Sequence, residues 1–136
     1  MITAVDTSVV LDLLTDSRDL GRAAQAALEQ ASEQGSIVAC EVVWAEVASA
    51  FPTRAGFESA MERLGLRFDA IDAATARLAG EIWRSYRSRG GRRTRVAPDF
   101  LVGAHAQVNA ERLLTRDRGF YRAYFRKLEL IDPWRA

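Results

Sequence analysis

The sequence has little cysteine, proline or glycine, and it lacks long apolar runs. One cysteine, Cys40, among 136 residues excludes an internal disulfide framework. Three prolines and nine glycines beside 49% hydrophobic residues argue against a disordered or fibrous chain. No stretch approaches the roughly 18 apolar residues of a membrane-spanning helix, and the first residues lack the basic region of a signal peptide. We therefore expect one soluble, cytoplasmic domain over residues 1–136, without a membrane partner.

Lysine is also scarce, since Lys127 is the only one, so arginine carries almost all the positive charge. Residues 1–68 have five arginines against ten acids, whereas residues 69–136 have fourteen basic residues against eight acids. Guanidinium groups bind phosphate oxygens through two parallel hydrogen bonds. A dense arginine cluster is therefore a candidate contact for a nucleic acid backbone, with a solvated helix end as the alternative. Its members are Arg84, Arg87, Arg89, Arg92, Arg93 and Arg95.

Short apolar runs bounded by turn residues alternate with stretches of helical period. Strands are predicted over residues 2–5, 36–39, 66–71, 112–115 and 128–131, and helices over 19–34, 41–51 and 55–64. Three further helices are predicted to begin at a Thr7 or Ser8 cap, at Asp72 and at Pro98. This alternation predicts an α/β fold, a three-layer α/β/α sandwich with helices on both faces of a parallel sheet.

The helical period also predicts which side chains are buried. On the helix that begins at Asp72, the predicted buried residues are Ala76, Ala79, Trp83 and Tyr86. On the helix that begins at Pro98, they are Leu101, Ala104, His105 and Val108. The lone histidine, His105, is thus expected to be packed rather than catalytic. We interpret Trp44, Trp83 and Trp134 as packing residues rather than stacking platforms for bases. The sequence offers no Ser-His-Asp set or Cys-His pair in a plausible order, so nucleophilic acyl chemistry has little support.

Four acidic residues are candidates for a common site. Asp6 directly follows the first predicted strand and Asp117 follows the fourth, so both are expected at the edge where the strands carry their carboxyl ends. Asp99 begins a helix just after the arginine cluster. Glu46 is predicted on a helix stripe that faces the sheet, together with Val42, Val43 and Ala50.

A carboxylate on an apolar face needs a partner, because its charge loses hydration there. No arginine or lysine is adjacent to Glu46 on its stripe, so a divalent ion shared with the other acids is a reasonable partner. Oxygen ligands without histidine or cysteine favour Mg²⁺ or Mn²⁺ over zinc.

Each acid also has a structural explanation. Asp6 would serve as a helix N-cap, Asp99 would complement a helix dipole, and Asp117 would be a turn residue before Gly119. Glu46 would be partly exposed if the helix phase were shifted by one position.

Four segments, in order along the chain, resemble the PIN-domain ribonucleases, most closely the VapC-type toxins of VapBC toxin–antitoxin modules. They are VDTSVVL at 5–11, WAEV at 44–47, PDFLVGAHA at 98–106 and LLTRDRGFY at 113–121. The resemblance implies a Mg²⁺- or Mn²⁺-dependent endoribonuclease on a parallel five-stranded sheet, held inactive by a cognate VapB-type antitoxin. It also suggests a homodimer. It does not fix which RNA is cut.

Carried over residue by residue, the family's catalytic and metal-binding acids fall on Asp6, Glu46, Asp99 and Asp117. Our hypothesis is that the three aspartates hold the metal, while Glu46 binds through water, binds a second ion, or orients the nucleophile as a base. The hydroxyl groups that would orient metal-bound waters are Ser8 and Thr115. Arg116 and Arg118 join the arginine cluster as candidates for holding the RNA backbone.

Two other interpretations stay open. One is a non-catalytic RNA- or protein-binding module of the same fold. The other, a different α/β phosphate enzyme, lacks its motifs: no Asp-x-Asp pair follows the first strand, and neither a Gly-x-Gly-x-x-Gly nor a P-loop string occurs. A groove for an amphipathic antitoxin segment is predicted between the first two helices, although its residues would equally suit the core. They are Leu11, Leu14, Leu20 and Ala24.

Overall fold

The computed structural model describes residues 1–15, 18–92, 95 and 97–135. Five strands form the sheet: β1 Ile2–Val5, β2 Ser36–Ala39, β3 Leu66–Phe68, β4 Arg112–Leu114 and β5 Glu129–Ile131. The helices are α1 Thr7–Leu14, α2 Arg18–Gln34, α3 Glu41–Ala48, α4 Arg54–Leu64, α5 Ala73–Ser88, α6 Ala97–Asn109 and α7 Arg118–Tyr124, and a 3₁₀ turn spans Pro133–Arg135.

The sheet has the strand order β3-β2-β1-β4-β5, and every neighbouring pair is parallel. The predicted α/β fold with a five-stranded parallel sheet is confirmed. The chain builds β2 and β3 on one side of β1, then crosses to build β4 and β5 on the other. The direction in which strands are added is thus reversed between β1 and β4. Parallel sheets bind ligands beyond the carboxyl ends of the strands at such a reversal of strand order. Val5 pairs with Leu114 at that end.

Two apolar regions fix the elements around this reversal. Val5, Val9, Leu113 and Leu114 are at most 1% exposed, so α1 packs tightly against the central strands. An aromatic cluster joins α5, α6 and α7, with the rings of Phe100 and Phe120 centred 5.3 Å apart. Its other members are Tyr86, Tyr121, Tyr124 and Phe125. This cluster anchors α7, a helix that the sequence interpretation did not include, beside the carboxyl edge of the sheet.

Several predicted boundaries differ from the structure for local reasons. Helix α1 begins at Thr7 with Asp6 as its N-cap, because the Asp6 carboxylate accepts the Thr7 N–H, so the Thr7 or Ser8 cap was wrong. Strand β3 ends at Phe68 rather than at residue 71. There the Glu41 carboxylate accepts the N–H of Ile71 at 2.8 Å, which gives that backbone group a partner outside the sheet.

Some predicted helix faces are also shifted. Helix α5 buries Thr75 and leaves Ala76 exposed, and Val108 of α6 is 53% exposed. His105 is 1% exposed, as expected of a packed residue, and its Nε2 lies 2.8 Å from the Asp69 carboxylate. Within the described residues, no helix is both long and apolar enough to cross a bilayer.

The three tryptophans differ in their surroundings. Trp44 packs edge-on against Phe57 and Phe68, and Trp83 stacks on Phe100. Trp134 is 54% exposed, so it does not belong to the core.

Candidate active site

Asp6 and Asp117 are joined through a buried hydroxyl group where β1 and β4 end. The backbone N–H of Asp6 donates to the carbonyl of Leu114 at 2.9 Å, which fixes the end of β1 against β4. Thr115 Oγ1 donates to Asp6 Oδ2 at 2.7 Å and accepts the Asp117 N–H at 3.0 Å. Because Thr115 is 0% exposed, this connection is rigidly packed. Both aspartates therefore lie at the sheet edge that the sequence predicted.

The Asp6 carboxylate carries a poorly compensated negative charge. Its pKa rises from 3.8 to about 6, first because burial removes hydration. Hydrogen bonds from Thr115 and Thr7 lower the pKa, whereas the charges of Asp117 and Glu46 raise it further. A half-buried carboxylate whose neighbours are also acidic becomes more stable when a cation binds beside it.

Glu46 reaches the site by a different route from the predicted one. It is exposed on α3, whereas Val43 and Val47 form the buried face, so its assignment to the apolar stripe was wrong. Its Oε1 accepts a hydrogen bond from Thr7 Oγ1 at 2.8 Å, which places it next to Asp6. The argument that burial demands a cation thus applies to Asp6 and not to Glu46. Glu41, the other acid of α3, bonds Ile71 instead.

Asp99 joins the group through Arg95. The Arg95 guanidinium donates from both terminal nitrogens to the Asp117 carboxylate, with Nη2 3.1 Å from Oδ1, and its Nη1 lies 3.8 Å from Asp99 Oδ1. The same guanidinium lies over the Phe120 ring, 4.4 Å from its centroid. The pKa of Arg95 is raised, mainly by the hydrogen bond to Asp117. Arg95, predicted to contact RNA, is therefore already bound to two acids of the site.

Tyr121 of α7 is a site residue that the sequence interpretation missed. It is 2% exposed, and the pKa of its hydroxyl group is raised by burial and then by the charges of Asp6, Asp99 and Asp117. Its ring thus lies within electrostatic reach of three acids. The signal available in the sequence was the aromatic pair directly after Gly119, which packs α7 against α6.

The donor chemistry of this group fits a hard divalent cation. The acids supply carboxylate oxygens, Asp6 has an excess of negative charge, and Ser8 Oγ is buried without a hydrogen-bond partner among the described residues. In the same part of the chain, no three Asp, Glu, His or Cys side chains are arranged so that they could hold a metal ion. Asp117 and Asp99 instead share the Arg95 guanidinium.

The other predicted RNA contacts differ in their exposure and their partners. Four arginines are exposed on and after the C-terminal half of α5: Arg84, Arg87, Arg89 and Arg92. Arg118 is half-buried, and Arg93 lies outside the described residues. Arg116 forms an ion pair with Asp12, its Nε lying 2.6 Å from Oδ2. Among the predicted RNA contacts that the structure describes, four exposed arginines are thus grouped on α5 and shortly after it.

A groove of about 600 Å³ lies between α1, α2 and α4. Its lining includes Leu13, Leu14, Leu28, Glu29, Arg63 and Leu64. Of the predicted groove residues, Leu14 lines it, whereas Ala24 is 0% exposed and belongs to the core. Leu11 and Leu20 are half-buried.

Comparison with known proteins places the whole arrangement in context. The PIN domain family matches residues 3–126. The fold is similar to the VapBC2 structure from Rickettsia felis bound to promoter DNA, with a TM-score of 0.75 and 21% identity over 96% of this chain and 98% of that chain. It is also similar to FitAcB from Neisseria gonorrhoeae (TM-score 0.75, 20% identity, 100% of both chains). A toxin–antitoxin complex from Klebsiella pneumoniae has a TM-score of 0.70 and 20% identity over 96% and 97%. No curated protein sequence matches significantly.

Proposed function

The chain belongs to the PIN-domain family, and on that premise we propose that it is a Mg²⁺- or Mn²⁺-dependent endoribonuclease acting as the toxin of a VapBC-type toxin–antitoxin module. The observation that supports this proposal is the series of contacts through Thr7, Thr115 and Arg95 that links four acids, together with the pKa of about 6 of Asp6. These acids are Asp6, Glu46, Asp99 and Asp117.

In this proposal the three aspartates hold the ion, and Glu46 lies beside them. A bound divalent ion lowers the pKa of a water molecule and neutralises charge on the phosphoryl group. Thr115 donates to Asp6 Oδ2 and the Thr7 N–H donates to Oδ1, so the carboxylate is held in place while each oxygen keeps a second lone pair for the ion. Thr7 holds Oε1 of the exposed Glu46, and the other carboxylate oxygen would accept a proton from the attacking water.

The exposed arginines on α5 and shortly after it would hold the RNA backbone beside this site. Arg84 is exposed on α5, and Arg92 is exposed seven positions before Asp99 in the sequence. Phosphate contacts of this kind position RNA without reading its sequence, and they weaken as salt concentration rises.

The regulator in this proposal is a VapB-type antitoxin. One of the similar structures is itself a toxin–antitoxin complex, and the groove between α1, α2 and α4 offers apolar walls for an amphipathic segment. A single domain over residues 1–136, a homodimer and a cytoplasmic location complete the proposal.

Cleavage of purified RNA tests the function directly. The protein is expected to cut RNA when Mg²⁺ or Mn²⁺ is present and to stop when EDTA is added. Asp6→Asn and Asp99→Asn should each lower the rate at least a hundredfold, whereas Asp72→Asn, which changes an exposed helix cap away from the site, should not. Binding of RNA without cleavage would instead support a non-catalytic module. Wild-type cleavage by Asp6→Asn would contradict the assignment of the site.

A further inference from the structure

Arg95 occupies an unusual position for a side chain in a proposed cation site. It makes a two-pronged contact with Asp117, approaches Asp99, and rests on the face of Phe120. Its side chain is 30% exposed, so the contact is partly shielded from water. A paired guanidinium and carboxylate in this geometry is one of the stronger ionic contacts in proteins.

These contacts engage the oxygens that a metal ion would need. Both Asp117 oxygens receive hydrogen bonds from Arg95, and Asp99 Oδ1 faces the same guanidinium. A cation that binds these oxygens must offset the loss of the existing ionic contact.

We infer that Arg95 is a built-in counter-cation of the site, which holds Asp117 and Asp99 in the metal-free protein and competes with the divalent ion for the same oxygens. This inference rests on the proposed function, since it takes these acids to be the ligands. The Phe120 ring provides a surface on which the guanidinium remains after it leaves Asp117. Arg95 is thus a positioning residue whose removal should favour metal binding.

Calorimetric titration with Mn²⁺ tests the competition without relying on catalysis. Arg95→Gln removes both the charge and the planar fork, and it is expected to bind Mn²⁺ about tenfold more tightly than the wild type. Arg95→Lys keeps the charge but loses the fork, so its affinity should lie between the two. Arg92→Gln removes the same charge from an exposed position three residues earlier, and its affinity should match the wild type.

Thermal unfolding gives a second measurement. Metal-free Arg95→Gln should melt at a lower temperature than the wild type, because Asp117 and Asp99 lose their counter-charge. Saturating Mn²⁺ should then raise its melting temperature by more than it raises that of the wild type.

The outcomes separate this inference from the proposed function. Equal or weaker Mn²⁺ binding by Arg95→Gln would overturn the competition while leaving the metal site intact. If neither the wild type nor any variant bound Mn²⁺, the metal-dependent function and the competition would both be wrong. Tighter binding by Arg92→Gln as well would reduce the effect to net charge and overturn the role of Arg95.

Discussion

Replacing Asp6 by asparagine should stabilise the metal-free protein, although this residue lies at the centre of the proposed site. Asp6 is partly buried, and its charge is opposed by Asp117 and Glu46. The substitution keeps the shape of the side chain and removes the charge. A residue kept for the architecture alone would be expected to destabilise the fold when it is changed.

The magnitude follows from the pKa of Asp6, which rises from 3.8 to about 6. Each pKa unit corresponds to about 1.4 kcal/mol, so the charged form costs the folded state up to about 3 kcal/mol at neutral pH. Asparagine has only one side-chain oxygen and so keeps only one of the hydrogen bonds that Asp6 accepts from Thr7 and Thr115, which offsets about 1–2 kcal/mol of that gain. We therefore expect a net increase of about 1–2 kcal/mol in the free energy of unfolding.

The gain in stability from Asp6→Asn should grow as the pH rises. The folded protein keeps the Asp6 proton until about pH 6, whereas the unfolded chain releases it near 3.8, so wild-type stability falls as pH rises between these values. Below about pH 4 the carboxyl group is neutral in both states, and this advantage of the asparagine variant disappears.

Urea unfolding in EDTA at about pH 4.5 and pH 7.5 measures the effect. The Asp72→Asn variant is the control, because the Asp72 carboxylate caps α5 and has a lowered pKa, so its replacement should bring no gain at pH 7.5. A less stable Asp6→Asn variant at pH 7.5, or a gain that is the same at both pH values, would refute the reasoning.

Two further predictions concern residues that hold the site in place. Gly103→Ala should lower the free energy of unfolding, measured in urea, by about 1–3 kcal/mol, because its new methyl group would lie 2.4 Å from the Phe125 ring that anchors α7. The control is Gly80→Ala, whose methyl group meets no atom within 4 Å and which should be neutral or stabilising. Equal effects of the two substitutions would contradict the packing argument. Thr115→Val should cost about 1–3 kcal/mol in the same assay, because it leaves Asp6 and the Asp117 N–H without their shared partner. Thr115→Ser keeps the hydroxyl group and should lower the free energy of unfolding by less. A larger loss for Thr115→Ser than for Thr115→Val would contradict the role of the Thr115 hydroxyl group in linking Asp6 to Asp117.

Local patterns were enough to predict the sheet and part of the site. The bounds of β1 and β2 agree with the apolar runs, because buried parallel strands show an uninterrupted hydrophobic signal. Asp6 and Asp117 could be placed for the same reason, since Asp6 directly follows such a run and Asp117 comes three residues after Leu114. Glu46 could not, because the eight residues of α3 leave its phase ambiguous until Val43 and Val47 are seen against the core.

Tertiary contacts decide the features that the sequence left open. Helix α7 has only seven residues, and its position depends on aromatic contacts with α5 and α6 rather than on its own helical period. Arg95 belongs by sequence to a run of arginines with the same apparent role. Only the fold brings it to Asp117, which is 22 residues away along the chain.

Asp6 and Arg95 together describe a site that is short of positive charge. Arg95 is engaged by Asp117 and Asp99, and the pKa of Asp6 is still raised to about 6. Removing the negative charge of Asp6 should therefore stabilise the metal-free fold, whereas removing the positive charge of Arg95 should destabilise it. A purely structural site would lose stability in both variants. A gain in stability for the Asp6 variant together with a loss for the Arg95 variant would thus identify a site where the metal-free fold is destabilised so that an added cation can bind.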